Sequence, residues 1–408
     1  MTAVMQGIRI LEVAEHTFVP AASAILSDWG AEVIKVEPVG RGDAMRTLAR
    51  TGVIDLGEGG VHVLLEHSNR GKRSIGLDLA TPEGREVLYR LAAVSDVFLT
   101  NKLPRVRRAL AIDVDDIRAH NPDIVYVRGS GYGQQGPDAD RGGYDILGYW
   151  CRSGVAAGAR PPDVDGFISQ PGPAYGDSLG AMTIAGGISA ALLHRERTGE
   201  ATTVDVSLLA TGMWALGAGI ALAKHMGQPW QNATIERTQM NNPLTASYRT
   251  KDERWIYLSC LQGFQYWPEA CTLFGREDLI TDPRFATHAD LLANALEAGN
   301  ILQEIFLTQT AAEWKERLSG FRGQWAMVQD ALEVTEDPQV KANGYLVDCE
   351  TAEGAGFSLV ATPVQFDGES SPAARAPEFN EHGDAILGDL LGYDWDTVVD
   401  LKVKGAVE

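Results

Sequence analysis

Apolar and polar positions fall into two rhythms over the first 130 residues. Short aliphatic, β-branched runs at 8–13, 32–36, 74–79, 97–99 and 124–127 predict buried strands, and apolar residues at helical spacing predict helices over 21–29 and 83–94. Strands that alternate with helices in this way predict an α/β fold built on a doubly wound parallel sheet. The helix over 83–94 carries its own start signal. Thr81 is a candidate N-cap, and Pro82 stands at the first helical position, where a missing N–H costs nothing.

Beyond the fifth strand the pattern breaks into loops and glycine-rich helices. Residues 129–141 contain Gly-Ser-Gly-Tyr-Gly and Gly136-Pro137, which predicts a long loop, and 161–176 is a second one. Long loops in compact domains tend to carry function. The second leads through Asp177 and Ser178 into a helical stretch over 179–193, where Gly180, Gly186 and Gly187 are read as allowing close helix packing. The longest uncharged stretch, 207–223, falls short of a spanning length and is rich in Gly, Ala and Thr, so it reads as a buried or interface helix. After His225 the texture changes. Tyr248, Trp255, Tyr257, Phe264, Tyr266 and Trp267 precede helical segments reaching about position 318, which predicts a separate smaller domain. From Asp337 a loop-rich tail follows, with helical runs over 384–391 and 395–402.

Composition narrows the function classes. The 408 residues are 45% hydrophobic and 22% charged, which suits a soluble enzyme and excludes disorder. Fifty-five acidic residues against 35 basic ones give a net charge of −20, so neither nucleic acid nor an anionic membrane surface is an expected partner. Cys151, Cys260, Cys271 and Cys349 form no C-x-x-C pair, which argues against a thiolate metal site or a disulfide framework. Residues 1–13 do not read as a signal peptide, and a cytoplasmic location is expected.

Several common chemistries are missing. The turn after the first strand reads Glu15-His16-Thr17-Phe18-Val19-Pro20, without the G-x-G-x-x-G that admits a pyrophosphate, so a dehydrogenase is not supported. Walker A, H-E-x-x-H and G-x-S-x-G motifs are absent. His62 and His67 are off a common helical face, and no metal is expected. Basic residues nevertheless gather in two places. Arg70, Lys72 and Arg73 precede the third strand, and Lys102, Arg105, Arg107 and Arg108 follow the fourth. Together they could line one edge crevice and neutralise a multiply phosphorylated ligand; the alternative is solvated surface charge. Asp145 in Gly142-Gly143-Tyr144-Asp145 and Asp177 in Tyr175-Gly176-Asp177 are carboxylates set after glycines, positions that suit either chemistry or a helix cap.

These blocks carry a family resemblance. Gly7-Ile8-Arg9-Ile10-Leu11-Glu12, Ala31-Glu32-Val33-Ile34-Lys35-Val36-Glu37-Pro38, Gly42-Asp43 and Gly71-Lys72-Arg73-Ser74-Ile75-Gly76-Leu77-Asp78-Leu79 resemble the class III CoA-transferases, a family that includes α-methylacyl-CoA racemases. Gly131-Tyr132-Gly133, Gly143-Tyr144-Asp145, Gly176-Asp177, Arg197-Thr198-Gly199, Val204-Asp205-Val206-Ser207 and Asp337-Pro338-Gln339-Val340 continue it in the same order.

The resemblance implies a large Rossmann-like CoA-binding domain whose first part is 1–224, a small α/β domain at 225–334, and a segment 335–408 returning to the large domain. It also implies an interlocked homodimer, with acyl-CoA and a carboxylic acid as substrates and no tightly bound cofactor. Asp145 is the implied nucleophile, forming an aspartyl-CoA thioester, and Asp177 a possible secondary acid or base. Lys72, Arg73, Asn101 and Arg108 are the implied CoA contacts, although Asn101-Lys102-Leu103-Pro104-Arg105 departs from the family's Asn-Phe-Arg-Pro-Gly. The racemases place a histidine where this chain has Tyr144, a poor base with an ordinary pKa near 10. The reading is therefore a CoA-transferase; a racemase or epimerase, or a non-catalytic acyl-CoA-binding subunit, are the alternatives.

Overall fold

The computed structural model describes residues 2–51, 54–234, 238–371 and 374–408. Two compact units divide them: Met1–Arg160, Gly166–Asn232 and Pro338–Glu408 form the first, and Pro161–Asp165 with Ala233–Asp337 form the second.

The first unit is organised by a six-stranded sheet of β1 (Arg9–Val13), β2 (Glu32–Glu37), β3 (Arg73–Gly76), β4 (Val97–Thr100), β5 (Val125–Ser130) and β6 (Thr203–Ser207). Every pairing is parallel, and the spatial order is β3-β2-β1-β4-β5-β6. This is the doubly wound order, which reverses direction between β1 and β4 and opens a crevice beyond the strands' carboxyl ends. The first five strands lie where the apolar runs predict them. β3 is shorter than its run, because Leu77–Leu79 leaves the sheet towards that crevice. β6 has no matching prediction: its sequence Thr-Val-Asp-Val-Ser is too polar to stand out, as suits a half-covered edge strand.

Both faces of the sheet are buried. Ile10, Val33, Val97 and Val125 pack under α1 (Phe18–Asp28) and the long α5 (Tyr175–Thr198). Between these in the chain lie α2 (Val63–Asn69), α3 (Pro82–Ala93) and α4 (Pro104–Leu110). On the other face Leu11, Ile34, Phe98 and Tyr126 pack with Val87, Leu88 and Leu91 of α3, and with Ile386, Leu391, Val398 and Leu401 from the C-terminal segment. Thr81 caps α3 through its Oγ1, which accepts the Gly84 N–H at 3.0 Å. In α5, a Cβ on Gly180 would lie 2.3 Å from Phe18 and one on Gly187 2.8 Å from Val204, so both permit close packing; Gly186, by contrast, faces open space. Residues 207–223 form two helices rather than one, α6 (Leu208–Ala215) and α7 (Gly217–Met226), with several apolar side chains turned outward.

Charge is also buried within the first face. Glu12 of β1 accepts from Lys35 of β2 at 2.7 Å and from Lys72 at 2.7 Å, and Lys35 meets Asp43 at 2.7 Å, all with fully covered side chains. Burial works against the Glu12 charge, but the two lysines outweigh it and hold its pKa below the usual carboxylate range.

The second unit carries a three-stranded antiparallel sheet of β7 (Thr245–Arg249), β8 (Trp255–Ser259) and β9 (Trp325–Met327), with α8 (Gly263–Leu273) and α9 (Ala295–Phe306) packed on it. Much of its core is aromatic, with Tyr248, Trp267, Phe285, Phe306 and Trp314 fully buried, whereas Trp255 and Tyr257 of β8 are exposed.

Candidate active site

The loop after β5 folds back on itself through two glycines. A Cβ on Gly131 would lie 2.8 Å from the Gly143 Cα, so Gly131 admits no side chain, and one on Gly143 would be tight at 3.1 Å from the Gly131 Cα. This closure delivers Asp145 to the start of a π-helical turn, Ile146–Arg152. Such turns are rare and frequent at functional sites. Asp145 is only 8% exposed. Its Oδ2 accepts from Gln170 Nε2 at 3.0 Å and from the Gly176 N–H at 3.3 Å. Gly176 opens the first turn of α5, whose unpaired N–H groups and dipole favour negative charge. That turn can approach because Gly176 has no side chain: a Cβ there would lie 2.4 Å from Tyr149 Cγ.

Asp177 follows directly on the same turn. It is half-buried, and no hydrogen bond reaches its carboxylate among the described residues. Loss of water, and then the charge of Asp145, pushes its pKa up to about 8. Ser178 beside it lies 3.4 Å from Nε2 of His67, whose pKa burial and Arg70 push down to about 4. Tyr144, 62% exposed, is met edge-on by His16 with ring centroids 5.6 Å apart. His16 is left-handed at φ 69°, and its N–H donates to Asp43 Oδ1 at 2.9 Å.

A second feature of the first unit lies at the carboxyl ends of β1 to β4. A crevice of about 230 Å³ has a floor of Val13, Val36, Leu77 and Leu79, with Glu15, Arg41 and Lys102 also in its lining. Asn101 stands behind it: its Oδ1 accepts the Glu15 N–H at 3.2 Å and its Nδ2 donates to the Glu15 carbonyl at 2.7 Å. Arg108 is 61% exposed and 3.8 Å from Asp140.

The two cations expected ahead of the third strand lie elsewhere. Lys72 turns inward, donating to Glu12, to the Pro20 carbonyl at 2.8 Å and to Asn69 Oδ1 at 3.0 Å, and presents no face to a ligand in solution. Arg73 is the first residue of β3 and donates to Glu32 at 2.6 Å, at the amino-terminal edge of the sheet, opposite the crevice. Glu15, Arg41 and Gln170 were not anticipated as site residues. Gln170 had one signal, its place in a long loop, whereas Glu15 and Arg41 had none beyond lying just after strands. Among the described residues no cluster of three or more His, Cys, Asp or Glu is placed to hold a metal. In the second unit, Gln262 and Gly263 line a separate cavity of about 660 Å³ at the start of α8.

A doubly wound sheet with a carboxyl-end crevice, and a carboxylate pair at a helix N-terminus, place the chain among the doubly wound α/β proteins. Residues 5–383 match CoA-transferase family III, and the chain belongs to that family. It is 28% identical over 399 residues to (R)-2-hydroxy-4-methylpentanoate CoA-transferase from Clostridioides difficile, covering 98% of each chain. It is 29% identical over 409 residues to cinnamoyl-CoA:phenyllactate CoA-transferase from Clostridium sporogenes, covering 98% of this chain and 96% of that one. The crystal structure of a CAIB/BAIF family protein from Brucella suis superposes with a TM-score of 0.80 at 28% identity, covering 96% of this chain and all of the other.

Proposed function

We propose that this CoA-transferase moves CoA from an acyl-CoA donor to a carboxylic acid through an aspartyl-CoA thioester, and that Asp177 supplies the attacking oxygen with Asp145 behind it. The family resemblance implied Asp145 for that step. One observation favours its neighbour: Asp145 is buried and its Oδ2 already accepts two hydrogen bonds, while Asp177 is half-buried and its carboxylate accepts none among the described residues. An attacking carboxylate needs a free oxygen within reach of the thioester carbon.

In the first half-reaction an ionised Asp177 oxygen adds to the thioester carbonyl and expels CoA as thiolate, leaving a mixed anhydride. The thiolate then attacks the Asp177 carbonyl, releasing the donor acid as carboxylate and leaving the thioester on the protein. The acceptor carboxylate repeats the two steps in reverse order, and Asp177 returns to its starting form with no net proton change. A carboxylate is required because only an acyl anhydride of the enzyme lets CoA be carried as a thioester. Backbone N–H groups of the 131–143 loop are suited to the oxyanions. CoA itself would enter as substrate over the carboxyl-end crevice, with Asn101 positioning the turn there and Arg108 at its periphery. The named relatives act on 2-hydroxy and aryl acids, and acids of that general class are the acceptors to try first.

The test is intact-mass and peptide analysis after brief incubation with a panel of acyl-CoAs and a mild acid quench. Cleavage at Arg152 places the two aspartates on different tryptic peptides. The proposal expects a CoA adduct on the Asp177 peptide, abolished in Asp177→Asn and slowed in Asp145→Asn. An adduct on the Asp145 peptide would return the nucleophile to that residue. No adduct, but α-proton exchange in deuterated water, would overturn transfer in favour of racemisation.

A further inference from the structure

Glu15 places a carboxylate where the transfer reaction needs none. Its Oε1 accepts from Arg41 Nη1 at 2.7 Å and from the Ala44 N–H at 3.3 Å, while its Oε2 accepts from the ammonium of Lys102. The carboxylate is 14% exposed, whereas Arg41 is 56% exposed and open to solvent. Burial opposes the Glu15 charge, but Lys102 and Arg41 outweigh it and hold its pKa at about 2, so it is an anion throughout the working range. The main chain of Glu15 is secured separately by Asn101, through both its N–H and its carbonyl. The carboxylate can therefore leave its two cations by side-chain rotation alone.

Two cations and a backbone N–H converging on one point are what a phosphate group requires. Here they converge at the lining of an apolar-floored crevice, at the sheet edge where nucleotides bind in this strand order. The point is already filled, by a side chain of the same protein. We infer that Glu15 is a resident anion that holds Arg41, Lys102 and the Ala44 N–H in place in the free enzyme, and that a phosphate group of CoA displaces it from them.

The inference rests on the reading of CoA as the substrate and adds a consequence to it. In the free enzyme the cradle is kept ordered and half of its positive charge is offset, and every phosphate that binds must compete with a tethered carboxylate. A ligand without phosphates would gain nothing from displacing Glu15. Discrimination for CoA over its pantetheine fragment would thus be lower than the two cations alone would give, and removal of the Glu15 charge would raise it.

Titration calorimetry on the full chain tests this with CoA and with pantetheine, as binding without turnover. Glu15→Gln should bind CoA about tenfold tighter than wild type, with a steeper loss of affinity as salt rises, and should leave pantetheine binding unchanged. Its free form should melt at a lower temperature than wild type, and CoA should raise that temperature by a larger interval. Arg41→Gln and Lys102→Gln should each weaken CoA about tenfold without affecting pantetheine, and they keep the inference testable should Glu15→Gln fold poorly. CoA binding that is unchanged or weakened in Glu15→Gln would overturn the inference, as would full CoA affinity in both cation variants. A wild-type chain that binds no CoA would instead sink the substrate reading on which it rests.

Discussion

The two aspartates differ in what surrounds them, and the difference has a pH signature. Asp177 is partly desolvated, accepts no hydrogen bond among the described residues and lies in the field of Asp145, and together these carry its pKa from 3.8 to about 8. The folded protein therefore binds a proton at Asp177 that the unfolded chain has lost between those two values. Across that interval Asp177 lowers stability as pH rises, with no further effect above about 8 or below 3.8. Chemistry runs the other way, because the attacking form is the ionised one. The rate of single-turnover adduct formation should climb with pH through about 8, measured by quenched-flow mass analysis. In Asp145→Asn the like charge is removed while burial remains, so the rising limb should move to lower pH. A limb that stays fixed in that variant would show that the two carboxylates do not feel one another.

At the scale of elements, the site depends on how closely α5 approaches the Ile146–Arg152 turn. Gly176→Ala puts a methyl group 2.4 Å from the root of the Tyr149 ring, which cannot swing aside as a chain end could. The helix start must retreat, taking its N–H from Asp145, at a cost of about 1–3 kcal/mol of stability. Turnover should fall much further than stability does. Gly186→Ala in the same helix meets nothing within 4 Å and should instead stabilise by about 0.5–1 kcal/mol, as thermal unfolding of the pair would register. The elements themselves were largely legible, because buried strands and amphipathic helices write their period into the sequence. Asp145 and Asp177 were legible as carboxylates after glycines. What periodicity cannot give is which partner topology brings to a side chain. Lys72 and Arg73 look alike in sequence, yet one turns inward to Glu12, 60 positions away, and the other sits at the amino-terminal edge of the sheet. Gln170 reaches Asp145 across 25 positions, and Lys102 reaches Glu15 across 87.

For the molecule as a whole, α6 and α7 pose a question that a single chain does not answer. Trp214 is 88% exposed, and Met213, Leu222 and Met226 lie open on the same pair of helices. Apolar surface of this kind, carrying a tryptophan, marks an association site in a water-soluble protein. The interlocked homodimer implied by the family resemblance is our proposal for what covers it. Opposing association is a charge of −20 on each chain, a repulsion that salt screens within about 10 Å at 0.1 M. Light scattering should nonetheless return twice the 44.0 kDa of one chain, and because interlocked chains cannot part without unfolding, the dimer should persist as salt is lowered. Trp214→Lys adds a cation at a site that association would bury, so it should weaken the dimer by more than the small relief of net charge could strengthen it. A wild-type chain that remains a monomer at all salt concentrations, with full transferase activity, would refute the proposal and leave Trp214 facing some other partner.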